Sequence, residues 1–129
     1  MRLLGIDYGT KRVGLALSDE SGFFAFPHSV IKNDKFLLKK VIDICKKESV
    51  SIIVIGESVD YKGRCNPIME EINVFKSILE NEIKLPVFFE NETLTSMEAE
   101  RLQGKGSKLD ASAAAIILRS YIDKKKAQN

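Results

Sequence analysis

Three carboxylates draw attention by what surrounds them: Asp7, Glu92 and Asp110. Asp7 ends the apolar run Leu3-Leu-Gly-Ile, where a buried carboxylate is costly unless something compensates it. Asp110 opens a stripe continued by Ala114, Ile117 and Tyr121, at offsets that keep all four on one side of a helix. Glu92 follows the apolar segment Pro86-Val-Phe-Phe-Glu90. Each has an ordinary reading: Asp7 as a turn cap before Gly9, Glu92 as a solvated loop acid, and Asp110 in a capping box with Ser107. Taken together they predict something else. Three carboxylates in one cleft repel unless a hard cation lies between them, and donors that are all oxygen select Mg²⁺ or Mn²⁺. Two such ions about 4 Å apart activate water and stabilise the leaving oxygen in displacement at phosphorus. The chemistry predicted is metal-dependent phosphodiester hydrolysis, with Asp7, Glu92 and Asp110 as metal ligands and catalytic residues.

The chain gives these acids a modest frame. Its 129 residues, 44% hydrophobic with 20 Lys+Arg and 18 Asp+Glu, predict a single domain over residues 1–129. The longest apolar run, Ala113 to Leu118, falls far short of the roughly 20 residues of a membrane span. No signal peptide is evident at the start. Cys45 and Cys65 lack a metal-ligand spacing and His28 stands alone, so no zinc site is expected and a reducing cytoplasmic location is. Residues 101–129 carry a net charge of +5 and residues 1–100 a net −3, so the basic end permits phosphate partners.

Hydrophobic patterning then supplies the elements. Residues 2–8 and 13–19 are apolar runs around Gly9-Thr-Lys-Arg12 and predict a β-hairpin. Residues 23–31 predict a third strand, at an edge because Pro27 cannot donate to a central ladder. An amphipathic helix is expected over 34–47, with Leu37, Leu38, Val41, Ile42, Ile44 and Cys45 on one side. Ser51 to Gly56 predicts a doubly buried parallel strand. Asn66-Pro67 marks a helix start, followed by Ile68, Ile72, Phe75 and Leu79. A strand at 86–90, a short helix from the Thr95–Glu98 capping box to about Gln103, and a last helix from about Asp110 to Lys124 complete the order β-β-β-α-β-α-β-α-α. Right-handed crossovers turn that order into an α/β fold, a mixed five-stranded sheet with helices on both faces. Its chemistry belongs beyond the carboxyl ends of the parallel strands.

Five basic residues are candidates for gripping nucleic acid: Lys11 and Arg12 in the turn after Asp7, and Arg101, Lys105 and Lys108 around Gly106. Binding to backbone and shape, weakening with salt, is the expectation. Base stacking has support only from Tyr8 and Tyr61, since Phe75, Phe88 and Phe89 read as core. Lys124 to Lys126 read as a frayed tail.

The blocks Gly5-Ile-Asp7-Tyr-Gly9-Thr-Lys11-Arg12-Val-Gly14, Glu92-Thr-Leu94-Thr95-Ser-Met-Glu98-Ala-Glu100-Arg101 and Lys108-Leu-Asp110-Ala-Ser112, continuing to Tyr121, together resemble the signatures of the YqgF or RuvX family of Holliday-junction-resolvase-like proteins. The resemblance spans essentially the whole chain. It implies an RNase H-like fold, metal ligands at Asp7, Glu92 and Asp110, and nuclease activity. Processing of the 5′ end of pre-16S rRNA in ribosome biogenesis is the first implied role. Cleavage of branched DNA at Holliday junctions, or nucleic-acid binding with weak catalysis, are the alternatives. A monomer or weak homodimer fits these roles. Asp7-Tyr-Gly9-Thr10 also resembles the first phosphate loop of the actin and sugar-kinase superfamily, whose members generally need two such domains. The chain departs from the family where Asn91 and Thr93 flank Glu92 in place of aspartate and arginine. It departs again at Glu57-Ser58, and Glu57 is expected to bring a further acid to the mouth of the site.

Overall fold

The computed structural model describes residues 1–57, 67–91 and 107–127, with residues 107–110 in backbone only. Five strands, β1 (Arg2–Tyr8), β2 (Arg12–Ser18), β3 (Ala25–Lys32), β4 (Val50–Glu57) and β5 (Val87–Asn91), form one sheet in the order β3-β2-β1-β4-β5. β1 runs antiparallel to β2 and parallel to β4, and β4 runs parallel to β5. Three helices are described: α1 (Leu37–Lys47), α2 (Met69–Ile83) and α3 (Ser107–Ala127).

Strand alternation divides the sheet into two unlike faces. Leu4, Ile6, Leu15, Ile53 and Ile55 point to the side covered by α1 and α2, where they meet Val41, Ile72, Phe75 and Leu79. Leu3, Ala16 and Val54 point to the other side and pack on Ala114, Ile117, Leu118, Tyr121 and Ile122 of α3. α3 lies close because the sheet is bare there. A Cβ added at Gly5 would come within 2.8 Å of Leu118 Cβ and 2.9 Å of the Ala114 carbonyl oxygen, and one at Gly56 within 2.5 Å of Ile117 Cδ1.

Element boundaries show where local signals compete. Helix α1 begins at Leu37 because Asp34 makes a turn first, its carboxylate accepting from Phe36 N–H and its carbonyl from Leu37 N–H. Helix α2 begins at Met69 rather than at Pro67, which instead supplies the carbonyl bonded by Glu70 N–H. Lys84 closes α2 in the left-handed conformation, at φ 59°. Strand β3 is an edge strand, and between the pairs Leu15–Ser29 and Ala16–Pro27 its residue His28 is extra, a bulge beside the proline. Helix α3 starts three residues before Asp110 and continues past Lys124, so the lysine run is helical and not a frayed tail. The expected helix near residues 95–103 and the Asn66 start signal lie outside the described residues.

Cys45 is buried against the α1 face of the core, and that burial pushes its thiol up to about 12. His28 is exposed and its Nδ1 lies 2.8 Å from Ser29 Oγ. Phe75 is core, Phe89 is half-buried, and Phe88 departs from expectation by being 42% exposed. Among the described residues no helix is long and apolar enough to cross a membrane.

Candidate active site

Asp7 sits one residue before the carboxyl end of β1 and shares the alternation of Leu3 and Gly5, which puts it on the α3 face. Its antiparallel partner on β2 is Gly14. On the other side, extending the register one step past the last β1–β4 pair, Ile6–Ile55, aligns it with Gly56, which in turn pairs with Glu90. The row across the sheet therefore reads Gly14, Asp7, Gly56, Glu90. Neither neighbouring strand sets a side chain beside the half-buried Asp7 carboxylate, and the space over Gly56 is taken by Ile117 of α3.

The course of α3 brings its first turn to the same place. Leu3 clusters with Tyr121 and Ile122, whereas Gly5 abuts Ala114 and Leu118, so α3 runs antiparallel to β1. Continuing from Gly5 to Asp7 advances about 6.6 Å along the strand. Stepping one turn back from Ala114 to Asp110 covers about 6 Å of helix in the same direction. The backbone of Asp110 thus belongs to the end of α3 that approaches the carboxyl end of β1. Glycine at positions 5 and 56 sets this approach, together with the alanines of α3.

The remaining predicted residues divide. Lys11 and Arg12 lie exposed in the turn that follows Asp7 and at the start of β2. Glu92, Arg101 and Lys105 lie outside the described residues, as does the side chain of Lys108, whose backbone is in the first turn of α3. Among the described residues, no three acids, histidines or cysteines are grouped closely enough to hold a metal ion. Glu57 does not join Asp7. It shares the alternation of Ile53 and Ile55, which places it on the α1/α2 side of the sheet.

Two residues that patterning did not single out shape this end of the molecule. Asn33 donates from its side-chain Nδ2 to the Gly9 carbonyl at 2.7 Å, and its backbone N–H bonds the Lys11 carbonyl at 3.0 Å. It thereby holds the turn carrying Lys11 and Arg12, a turn so tight that a Cβ at Gly9 would lie 2.5 Å from the Arg12 carbonyl oxygen. Glu90 is the buried acid of β5. Ser120 Oγ donates to it at 2.8 Å and Lys124 Nζ lies 2.6 Å away, so its charge is matched by α3 and not left for a metal. Only the spacing of Ser120 and Lys124, one helical turn apart, hints at that pairing in the sequence.

Asp7 offers oxygen donors, the kind a hard cation takes, whereas His28 is on an edge strand and Cys45 is sealed in the opposite core. The chain is 36% identical to a protein of Caldanaerobacter subterraneus subsp. tengcongensis named "Putative pre-16S rRNA nuclease", over 98% of this chain and 99% of that protein. It is 33% identical to a protein of the same name from Bacillus subtilis, over 95% and 98% of the two chains. Its fold is similar to that of Thermus thermophilus RuvC in complex with a Holliday junction substrate, with a TM-score of 0.65 and 18% identity over 98% and 96% of the chains. The fowlpox virus resolvase in complex with Holliday junction DNA is similar too, with a TM-score of 0.61 and 14% identity over 97% and 99%. The fold is RNase H-like. Residues 1–124 match the family described as "RuvX: Holliday junction resolvase", and with these relatives over nearly its whole length the chain belongs to the RuvX family.

Proposed function

We propose that this protein is a Mg²⁺- or Mn²⁺-dependent nuclease that hydrolyses phosphodiester bonds of precursor 16S rRNA, trimming its 5′ end in the cytoplasm as a monomer or weak homodimer. The observation that carries this reading is the setting of Asp7: a carboxylate at the carboxyl end of a central strand, flanked by glycines, at the end of the sheet where α3 begins. The names of the relatives supply the substrate.

Asp7, Glu92 and Asp110 would hold the metal. When bound, a divalent ion there would supply activation of water and stabilisation of the leaving oxygen. The chain's own residues do the rest. Lys11 and Arg12 meet the phosphates entering beside Asp7, Arg with paired N–H groups and Lys as a point charge. Asn33 keeps their turn in register with β1. Arg101, Lys105 and Lys108 extend the grip along the backbone. The close packing of Gly5 and Gly56 on α3 sets how far Asp110 stands from Asp7.

The test is cleavage of a 5′-extended 16S precursor and, in parallel, of a four-way DNA junction, with Mg²⁺ or Mn²⁺. The expected outcome is metal-dependent trimming of the RNA that falls to background in Asp7→Asn. Preferential cutting of the junction would move the substrate to branched DNA, as the family description has it. Equal product from wild type and Asp7→Asn would sink the nuclease reading altogether.

A further inference from the structure

At the opposite end of the sheet from Asp7, the β2–β3 turn holds two aromatic rings out to solvent, Phe23 at 54% and Phe24 at 64% exposure. A turn that merely tolerated them would be loose. This one is tied. The Asp19 carboxylate accepts from the backbone N–H groups of Phe23 at 2.9 Å and Phe24 at 3.0 Å and from the Ser21 hydroxyl. Asp19 N–H returns a bond to the Phe24 carbonyl at 3.1 Å, and Gly22 supplies the left-handed corner at φ +76°. From α3, Lys126 Nζ reaches the Phe23 carbonyl at 3.4 Å.

Cations lie over these rings. Lys126 Nζ is 4.8 Å from the Phe23 ring centre and 6.0 Å from that of Phe24, and Lys125 Nζ is 5.7 Å from that of Tyr121. Lys124 is committed to Glu90, but among the described residues no carboxylate pairs with Lys125 or Lys126. Between the turn and α3 opens a cavity of about 420 Å³, walled by Leu3, Phe23, Ile52, Phe88, Tyr121 and Lys126. Exposed aromatic faces, an apolar recess and two ammonium groups without acid partners match a chain of flat bases joined by phosphates. Pre-ordering of the turn reduces what binding costs in lost freedom.

We propose that this end is a second RNA-binding platform, on which a single-stranded flank of the substrate stacks its bases against Phe23 and Phe24 and sets its phosphates against Lys125 and Lys126. The proposal rests on the nuclease reading for its substrate. Leu3, at the cavity, and Asp7 are four residues apart on β1, about 13 Å of extended strand. At about 3.4 Å per stacked nucleotide, the platform engages a base four or more nucleotides from the one at Asp7. The platform therefore acts only on substrates with a flank of at least that length.

The experiment uses the full chain and a fluorescein-labelled, single-stranded 12-nucleotide RNA, read by fluorescence anisotropy without divalent metal. Phe23→Ser/Phe24→Ser should weaken binding at least about fivefold, because a stacked base is lost with each ring. Lys125→Glu/Lys126→Glu should weaken it too and flatten its salt dependence by roughly two units of slope. Phe23→Trp should keep wild-type affinity or better it, which a purely structural role would not require. Thermal melts within a few degrees of wild type keep the reading on binding. Equal affinity for wild type and both platform variants, with loss confined to Lys11→Ala/Arg12→Ala, overturns the proposal and leaves the patch to a protein partner. Platform-dependent binding in a protein that never cleaves would instead retire the nuclease reading while the platform stands.

Discussion

The two faces of the sheet are built on opposite plans. Toward α1 and α2, branched and aromatic side chains fill the space between layers, and Leu4, Ile6, Leu15, Ile53 and Leu79 are fully buried. Toward α3 the sheet offers Gly5, Ala16 and Gly56, and the helix answers with Ala111, Ala113 and Ala114. Apolar area removed from water grows with side-chain size, so the first face contributes most of the stability. The second sacrifices area for proximity. It fixes the distance between a helix and a strand that each carry an acid. One sheet thus separates the task of staying folded from the task of positioning a site.

Substitutions can break that division. Ile53→Ala opens a cavity in the α1/α2 face and should lower unfolding free energy by roughly 2–5 kcal/mol in denaturant titrations. Cleavage per folded molecule should hardly change. Gly5→Ala should destabilise less, by roughly 1–3 kcal/mol, since the new methyl meets a backbone carbonyl that cannot step aside. Its activity should nevertheless fall much further than that of Ile53→Ala, because small displacements of catalytic groups are expensive. Gly56→Ala should be milder on both counts, as its nearest obstacle is the terminal methyl of Ile117. If Ile53→Ala and Gly5→Ala lose activity in proportion to stability alone, the two-plan description is wrong.

The α3 face also carries a polar defect, the buried Tyr121 hydroxyl, which has no hydrogen-bond partner among the described residues. Tyr121→Phe should leave stability unchanged or raise it by up to about 1 kcal/mol, measured by thermal melting. The smallest effect is expected at the β2–β3 turn. Bonds from Phe24 N–H, the Ser21 hydroxyl and Phe23 N–H lower the Asp19 carboxyl from 3.8 to about 2. The ionised form is favoured by folding, so its contribution is complete above about pH 4 and fades as pH falls toward 2. Chemical shifts of the Phe23 and Phe24 amides should titrate in that window, while those of the two cores should not.

Much of this was legible in the residues. Short apolar runs between turn signals, the β-branched run of β4 and helical spacing announced the five strands, α1, α2 and α3, and Pro27 announced the edge. Asp7 stood out because an acid at the end of an apolar run demands an explanation. What stayed hidden depends on contacts between distant segments. The hold of Asn33 on Gly9 spans 24 residues and that of Ser120 on Glu90 spans 30, so nothing local to Asn33 points to Gly9 and the Ser120–Lys124 spacing does not by itself name Glu90. Glu57 was read toward the site by proximity of strands, whereas the two-residue period sends it to the other face. The lysine run looked like a tail because charge alone says nothing of Glu90 or Phe23 waiting beneath it.

The extra residue in β3 has a consequence for how the protein behaves in crowded solution. An outermost strand with regular, unpaired amides invites another chain to extend the sheet. Here Pro27 withholds a donor and the neighbouring His28 bends the ribbon, so the ladder has no clean template to continue along that border. A sheet ended in this way resists edge-to-edge polymerisation without requiring any cover over its rim.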